Sequence, residues 1–538
     1  MLILILACNV INGCTADYLQ SLYFSTSIMN QLKKITCCLA IVFQSVLWLH
    51  AQQVTTSFKK AFVFSAIKGT SGKSDSTMLS AAVKKVRLYS GDTTAFKIQL
   101  NKKGKLIALF MPTSDFVGIA TASVKATDAS GKTIGDIQLT GLSTKGLEGE
   151  NEPSLTTVAA ALGYKINIGW TTLANHSKPE LQGDEIPYQL FRKAGKGKVE
   201  LVPVARYSPD FELPFGYYID SAAMPVKHEV GVLSKKGMYP EHQCLFPAIA
   251  KGTNAFDPGN KVFGFYATGP AHTAWSEDVW NMLLYPANAV RAARIYPVKD
   301  ASGRPIANNY LLCYEEAKNG DYNDYVFLVK NIMPVTKDLF TTLFNGKNLD
   351  GWHTFLKDIG TNTDPDNNFK IEDGALHVLG KDLGYAITEK GYSNYHFKLE
   401  FKWGEKKWPP REDAKRDGGV CYNIPVNAVD SIWPSSVECQ IQEGDVGDFW
   451  LLGFSTIKVN GIENKPANHT RMIKQKDAEK SNGEWNTIEI ISSNGKCVQI
   501  VNGVVVNAGD EASNKSGRIL MQSEYAEIYY RNVKLRPL

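Results

Sequence analysis

Residues 435–443 read Ser-Ser-Val-Glu438-Cys-Gln440-Ile-Gln442-Glu. Strand side chains point alternately to two faces. Val437, Cys439 and Ile441 therefore form an apolar row, and Glu438, Gln440 and Gln442 a row of one carboxylate and two amides. Trp433 and Trp450 flank the stretch. Carboxylates and amides bond sugar hydroxyls, and indole rings cover the apolar C–H face of a sugar, so the chemistry indicated is carbohydrate recognition. The same alternation leaves Cys421 and Asn423 outward from Val420, Tyr422 and Ile424. It leaves Lys398, Glu400 and Lys402 outward from Phe397, Leu399, Phe401 and Trp403. If these strands share one sheet, Glu400, Lys402, Asn423, Glu438 and Gln440 form one polar cluster. Glu438 and Glu400 would then also suit a direct glycosidase, whose two carboxyl groups lie about 5–9.5 Å apart. The plainer alternative is the solvated side of an antiparallel sheet.

Two further stretches offer oxygen ligands. Between the apolar runs at 311–314 and 325–329 lie Glu315, Glu316, Asn319, Asp321, Asn323 and Asp324. Ca²⁺ takes six to eight such oxygens, so Asp321, Asp324 and Glu316 are candidate ligands of a structural calcium ion, with Ser276-Glu277-Asp278 as a further source. The spacing is not that of an EF-hand, and a solvated Asn-Gly-Asp hairpin turn is the alternative. Asp445 and Asp448, in Glu-Gly-Asp-Val-Gly-Asp, suit either a divalent cation or a loop cap.

The elements that must carry these residues are mostly strands. Alternating segments dominate, Asn502-Gly503 marks a tight hairpin, and Ser154–Leu162 is the one short helical candidate. The chain has 538 residues, 44% hydrophobic and 21% charged, with 59 basic against 54 acidic residues. That balance excludes a disordered chain and argues against a dedicated nucleic-acid binder. Polar, Gly/Pro-marked segments at 146–153 and 333–337 divide it into an N-terminal β-module (52–150), a second β-module (151–335) and a C-terminal domain (336–538). The first two are one or two sandwich modules.

Residues 29–51 open with Lys33-Lys34, continue as an apolar run from Ile35 to Leu49 and end at Ala51. This is the pattern of a secretory signal peptide and is short for a membrane span, which needs about 20 residues. Residues 1–28 then precede the expected start at Met29. A lipid anchor at Cys8 lacks a preceding positive charge. The expectation is an exported protein, periplasmic or extracellular, with no membrane span. Its remaining cysteines, Cys244, Cys313, Cys421, Cys439 and Cys497, are odd in number and not spaced as a metal finger.

The C-terminal domain carries an ordered set of motifs: Leu343-Phe-Asn-Gly-Lys-Asn-Leu-Asp-Gly-Trp352, Ile371-Glu-Asp-Gly-Ala-Leu376, Arg416-Asp417-Gly418-Gly419, Trp433 to Trp450, and Tyr530-Arg-Asn-Val533. Over 336–538 this order resembles the 3-keto-disaccharide hydrolase domain family. The resemblance implies a concanavalin A-like jelly roll, a two-sheet antiparallel sandwich. It also implies action on an oxidised glycoside: a base removes the C2 proton beside a C3 ketone, the C1 substituent leaves and water adds. In that chemistry Glu438 is the candidate base, Glu400 its alternate, and Lys402 or an unidentified metal the enolate stabiliser. Gln440, Gln442, Asn423, Trp433, Trp450 and Arg416 are the candidate substrate-binding residues. Non-catalytic carbohydrate binding and ordinary glycoside hydrolysis stand beside this reading. Where family members read Asp-Ser-Gly-x-x-Tyr-His, this chain has Asp417-Gly418-Gly419-Val-Cys-Tyr422-Asn423. Asn exchanges no proton near neutral pH, so the departure points to altered specificity or binding without turnover.

Overall fold

The computed structural model describes residues 58–67, 85–91, 95–100, 106–127, 130–145, 152–170, 179–220, 224–235, 243–288, 290–315 and 319–538. The expected signal peptide and Glu316 lie outside them. The chain divides into two compact units, one of residues 1–61, 79–90 and 123–138, the other of residues 62–78, 91–122 and 139–538. In the smaller unit, Val124 and Ile137 are buried and Gln138 Nε2 donates to Ser123 Oγ (2.9 Å).

In the larger unit, residues 191–334 form a β-sandwich. A six-stranded sheet built on Val199–Arg206, Tyr325–Lys330, Pro305–Tyr314 and Ala293–Lys299 faces a five-stranded sheet built on Val226–Leu233, Leu213–Ile219 and Gly264–Thr268. Leu201, Phe215, Phe265 and Phe327 fill the space between them. The helical candidate is observed as Leu155–Ala161, capped by Ser154, whose hydroxyl accepts from Thr157 N (3.2 Å).

The C-terminal domain is the expected two-sheet antiparallel sandwich. The strands used below are β1 (Trp352–Leu356), β2 (Gly384–Thr388), β3 (Tyr395–Lys407), β4 (Gly419–Ile424), β5 (Ser436–Gln440), β6 (Phe449–Leu452), β7 (His469–Met472), β8 (Asn486–Ser493), β9 (Ser516–Ser523) and β10 (Ala526–Pro537). One sheet runs β1-β2-β9-β4-β5-β6-β7, and the other has β10-β3-β8 at its centre. Phe397, Leu399, Phe401 and Trp403 of β3 meet Val420, Tyr422, Val437 and Cys439 of β4 and β5 in the inter-sheet core. Burying one such side chain is worth about 1.5–3 kcal/mol. A one-residue slip would expel the whole set, so the core fixes which residues face outward. The expected hairpin is present: Asn502 (φ 48°) and Gly503 (φ 79°) close the turn between Val501 and Val504.

The middle sandwich and the C-terminal one share an apolar contact. Trp280, Met282 and Leu283 of the helix Asp278–Leu284 pack with Ile491, Val498, Ile500 and Leu538. Beside them Arg536 donates to Glu277 Oε1 (2.6 Å) and Asp220 Oδ2 (3.1 Å), while Tyr218 Oη donates to Glu277 Oε2 (2.7 Å). Among the described residues no helix is long and apolar enough to cross a membrane, and all five cysteines are free and buried.

Candidate active site

The outer face of the β1–β7 sheet carries the candidate site. Strand register sets Leu520 opposite Cys421, Cys421 opposite Glu438, and Glu438 opposite Trp450. Most of this row is apolar. Ile387, Cys421, Leu452 and Leu520 are buried together with Tyr385, and Phe355, Trp433 and Trp450 pack over them. Glu438 is thus a carboxyl group at the end of an apolar, aromatic-rimmed floor, and only 4% of it is exposed.

Next to Glu438 the sheet lacks a side chain. A Cβ at Gly419 would collide with Glu438 Oε1 and lie 2.7 Å from Gln522 Oε1. The glycine provides the space into which Glu438 and Gln522 lean. Asp417 enters from the loop before β4 and Glu524 from the end of β9. Arg411 joins them: its Nη2 donates to Glu524 Oε1 (2.8 Å) and pairs with Asp417 Oδ2. Gln440 Nε2 donates to Asp417 Oδ1 (3.0 Å) and Gln442 Nε2 to Asp417 Oδ2 (2.7 Å).

Asp417 and Glu524 therefore share one guanidinium, with Glu438 as their acidic neighbour, and the proton affinities of the three follow from burial and from that excess of acids. Burial drives Glu438 well above the carboxylate range, and the charges of Glu524 and Asp417 push the same way, against a hydrogen bond from Gln522. Burial and Asp417 raise Glu524 to about 7, opposed by Arg411. Asp417 is raised by burial, against Arg411 and the Gln442 hydrogen bond. Glu438 is thus shifted towards its protonated form, and Glu524 ionises near about 7.

Glu438 is desolvated beside two other acids, which favours its protonated form, the form that donates a proton. Glu400 and Lys402 do not join it, because β3 belongs to the opposite sheet and alternation turns them to the far side of the sandwich. There Glu400 accepts from Arg531 Nε (2.7 Å) and Lys402 lies over Trp485 (5.1 Å) and Tyr529 (5.2 Å).

Asn423 also leaves the predicted face. The β4–β9 register shifts between Cys421 and Ile424, and Asn423, at φ 59°, turns inward. Its Oδ1 accepts from Tyr395 Oη (2.9 Å), and its Nδ2 donates to Ser492 Oγ (2.9 Å) and Asn514 O (3.0 Å). It ties the two sheets together and contributes no group to the acid cluster. Arg416 is likewise engaged, with Glu443 Oε1 (2.5 Å) and the carbonyl of Gly404 (3.0 Å).

Of the proposed metal ligands, Asp448 accepts from Arg471 Nε (2.6 Å) and Lys474 N (2.8 Å). Asp445 pairs with Lys415 (2.9 Å) and Arg471 (3.0 Å). The chain's own cations occupy these carboxylates. Asp324 is buried, and Asp321 Oδ2 accepts from Asn319 Nδ2 (2.7 Å) in the middle sandwich. Among the described residues no three His, Cys, Asp or Glu side chains group as a metal site.

Arg411, Gln522 and Glu524 were not anticipated. Gln522 and Glu524 alternate at the end of a strand, a signal of the same kind as the Glu438 row. Arg411 sits in an irregular loop whose sequence gives no such sign. His353 was missed as well, although it follows the Asp-Gly-Trp motif. Its Nδ1 meets Glu389 Oε1 (3.0 Å) and its Nε2 meets Asp430 Oδ1 (3.1 Å), and Tyr385 Oη donates to the same Asp430 oxygen (3.2 Å).

The sandwich, with its acids gathered on one outer face, coincides with a family match. Residues 339–536 match the 3-keto-alpha-glucoside-1,2-lyase-like domain family. The residues before this lyase-like domain match no family. The match supports a carbohydrate-active protein. No curated protein matches the chain. Among solved structures, a candidate glycosyl hydrolase from Parabacteroides distasonis ATCC 8503 is 19% identical over 38% of this chain and 98% of its own, with a TM-score of 0.28. The carbohydrate binding module CBM66 from Bacillus subtilis is 8% identical over 35% and 95%, with a TM-score of 0.25. An endo-beta-1,3-glucanase from Pyrococcus furiosus is 10% identical over 38% and 94%, with a TM-score of 0.26.

Proposed function

We propose that the lyase-like domain cleaves glycosidic bonds of 3-keto-glycosides by proton abstraction at C2, elimination and hydration, in an exported protein. The observation that carries this is the Asp417–Glu438–Glu524 cluster, with Arg411 on Asp417 and Glu524, in which burial favours the protonated form of Glu438 beside a second carboxyl group that ionises near about 7. A catalytic base works best with a pKa near the working pH, and Glu524 meets that condition. It takes the C2 proton, and the electron pair becomes the enolate of the C3 ketone. Once Glu524 is neutral, Arg411 has lost one counter-charge, so its field favours the enolate oxygen. Collapse of the enolate forms the C1=C2 bond and expels the C1 oxygen, to which Glu438 gives its proton. Water then adds, its hydroxyl to C1 and its proton to C2, completing a net hydrolysis. The apolar floor with Trp433 and Trp450 receives the sugar's C–H face. The leader pattern at 29–51 supports export.

The test is incubation of the full chain with a 3-keto-glucoside, with and without divalent cations. Product above that of Glu438→Gln and Glu524→Gln is the expected result, and none above those variants would remove the proposal. An ordinary glycosidase would release sugar equally from the unoxidised glucoside. A binding module without turnover is the second reading, favoured by the small exposure of Glu438. Calorimetry showing glycan binding with no product would establish it.

A further inference from the structure

Among the described residues five arginines are buried: Arg206, Arg291, Arg294, Arg518 and Arg536. A guanidinium keeps its charge in a protein, and burying it is costly unless partners compensate it. Four of the five are compensated. Arg291 and Arg294 pair with Glu185, Arg291 also with Asp278, and Arg536 with Glu277 and Asp220. Arg206 donates to Ser208 Oγ (2.8 Å) and to the carbonyls of Ser234 (3.1 Å), Pro209 (2.9 Å) and Phe211 (2.7 Å). Arg518 is the exception. It is 7% exposed; its Nη2 donates to Ala428 O (2.7 Å), and its Nε is buried with no acceptor. Among the described residues Nη1 has no acceptor either, and no carboxylate lies within ion-pairing distance.

This arginine lies on the face that carries the acid cluster. On β9, Ile519 and Met521 enter the inter-sheet core, so alternation turns Arg518, Leu520 and Gln522 to the outer side. Leu520 belongs to the apolar floor, as does Ile424, which stands opposite Arg518 in the strand register. Ala428, whose carbonyl holds Arg518, packs against the same floor. Burial and Asp430 raise the Tyr385 hydroxyl and Arg518 opposes them, which puts the guanidinium within electrostatic reach of a floor residue. Asp430 itself is taken by Tyr385, His353 and Thr361. Four residues of strand separate Arg518 from Gln522, roughly 13 Å, a span for a disaccharide rather than for a single ring.

We propose that Arg518 binds the carboxylate of an acidic sugar, so that the lyase-like domain takes glycosides that carry a uronic acid. The inference rests on the carbohydrate-active reading of this face. A carboxylate is planar and matches the fork of a guanidinium, and a pair formed among buried apolar side chains is screened little by salt. A neutral sugar leaves the charge of Arg518 uncompensated, so the site discriminates between the two. The floor is also polar along its length, with Asp417, Glu438 and Glu524 at one end and Arg518 at the other. Such a field repels a carboxylate from the acids and draws it to Arg518, which fixes the direction in which the sugar chain lies. The competing arrangement is a strut, in which Arg518 only holds the segment at Ala428 and meets no ligand.

The experiment titrates the full chain with methyl glucuronide and with methyl glucoside, which differ only at C6, and reads affinity by calorimetry. The glucuronide should bind about tenfold or more tightly than the glucoside, as expected of hydrogen bonds to a charged group. Arg518→Gln should abolish that preference, and Arg518→Lys should keep part of it. Should Arg518→Gln misfold, the wild-type comparison still decides: equal affinity for the two sugars, or no binding of either, overturns the proposal. A strut would leave the preference intact in a folded Arg518→Gln protein, and that result overturns it as well. Neither probe is oxidised at C3, so the readout does not depend on turnover. A wild-type preference for the glucuronide without cleavage of 3-keto-glycosides would end the lyase reading and leave the acidic-sugar site standing.

Discussion

The two outer faces of the C-terminal sandwich invite comparison, because each presents carboxylates from a β-sheet and only one balances them. On the β3–β8–β10 face every acid named here has a basic side chain as its partner. Glu489 takes His396 (2.8 Å) and Lys398 (3.2 Å), Glu400 takes Arg531, and Glu527 takes His377 (2.9 Å). Burial alone would raise Glu489, yet His396 and Lys398 outweigh it and hold it at about 2. Glu400 and Glu527 are lowered in the same way, by Arg531 and by backbone N–H groups with His377 respectively, against burial. On the β4–β5–β9 face three neighbouring acids are served by one arginine, which pairs with Asp417 and Glu524, and all three are raised. A balanced face is the ordinary outcome of folding. An unbalanced one, on desolvated residues, stores protons, and perturbed acids of this kind cluster at functional sites.

Breaking the unbalanced face should have the largest effect. Glu438→Gln is expected to cut turnover of a 3-keto-glucoside by about 10²–10⁴-fold. Gly419→Ala should follow, because its methyl group occupies the space Glu438 needs. Overpacking of this sort costs roughly 1–3 kcal/mol, to be read as a lower melting temperature together with reduced kcat. Asn423→Ala should cost about 1–3 kcal/mol by leaving Tyr395 and Ser492 unmatched, with kcat preserved. A large loss of kcat there would return Asn423 to the site.

The faces should also respond oppositely to pH. Glu524 is raised in the fold, so its contribution to stability is complete below about 4.5 and is lost as pH rises through about 7. Glu489 is lowered, so its contribution is present above about 4.5 and is lost as pH falls towards 2. Thermal melts from pH 3 to 8 should therefore flatten on the alkaline side in Glu524→Gln and on the acid side in Glu489→Gln. Turnover should climb as Glu524 ionises around pH 7. The smallest change is expected for Glu400→Gln, within about 0.5 kcal/mol and about twofold in activity, despite its sequence resemblance to Glu438.

That last contrast shows what alternation could and could not reveal. Period-2 patterning gave the facing of β3 and β5 correctly, since the apolar rows Phe397–Trp403 and Val437–Ile441 dominate the energetics. It carried no information on which sheet each strand joins, so Glu400 and Glu438 looked like neighbours while lying on opposite sides of a core. Asn423 eluded it for another reason. A register shift after Cys421 and a left-handed backbone reverse one side chain without changing the pattern around it. Arg411 was illegible because a loop cation is placed by tertiary contacts alone, and Asp445 and Asp448 looked like metal ligands because Arg471 is distant in sequence.

The contact of Arg536 with Glu277 and Asp220 bears on how the protein can be handled in the laboratory. The family match ends at residue 536 and begins at 339, which makes 339–536 an inviting fragment to express. Such a fragment would lack Glu277 and the helix that covers Ile491, Val498 and Ile500, leaving an arginine without its counter-ions beside a bare apolar strip. Cloning boundaries drawn at the family limits would cut through a shared interior, and soluble material should be sought with the middle sandwich still attached.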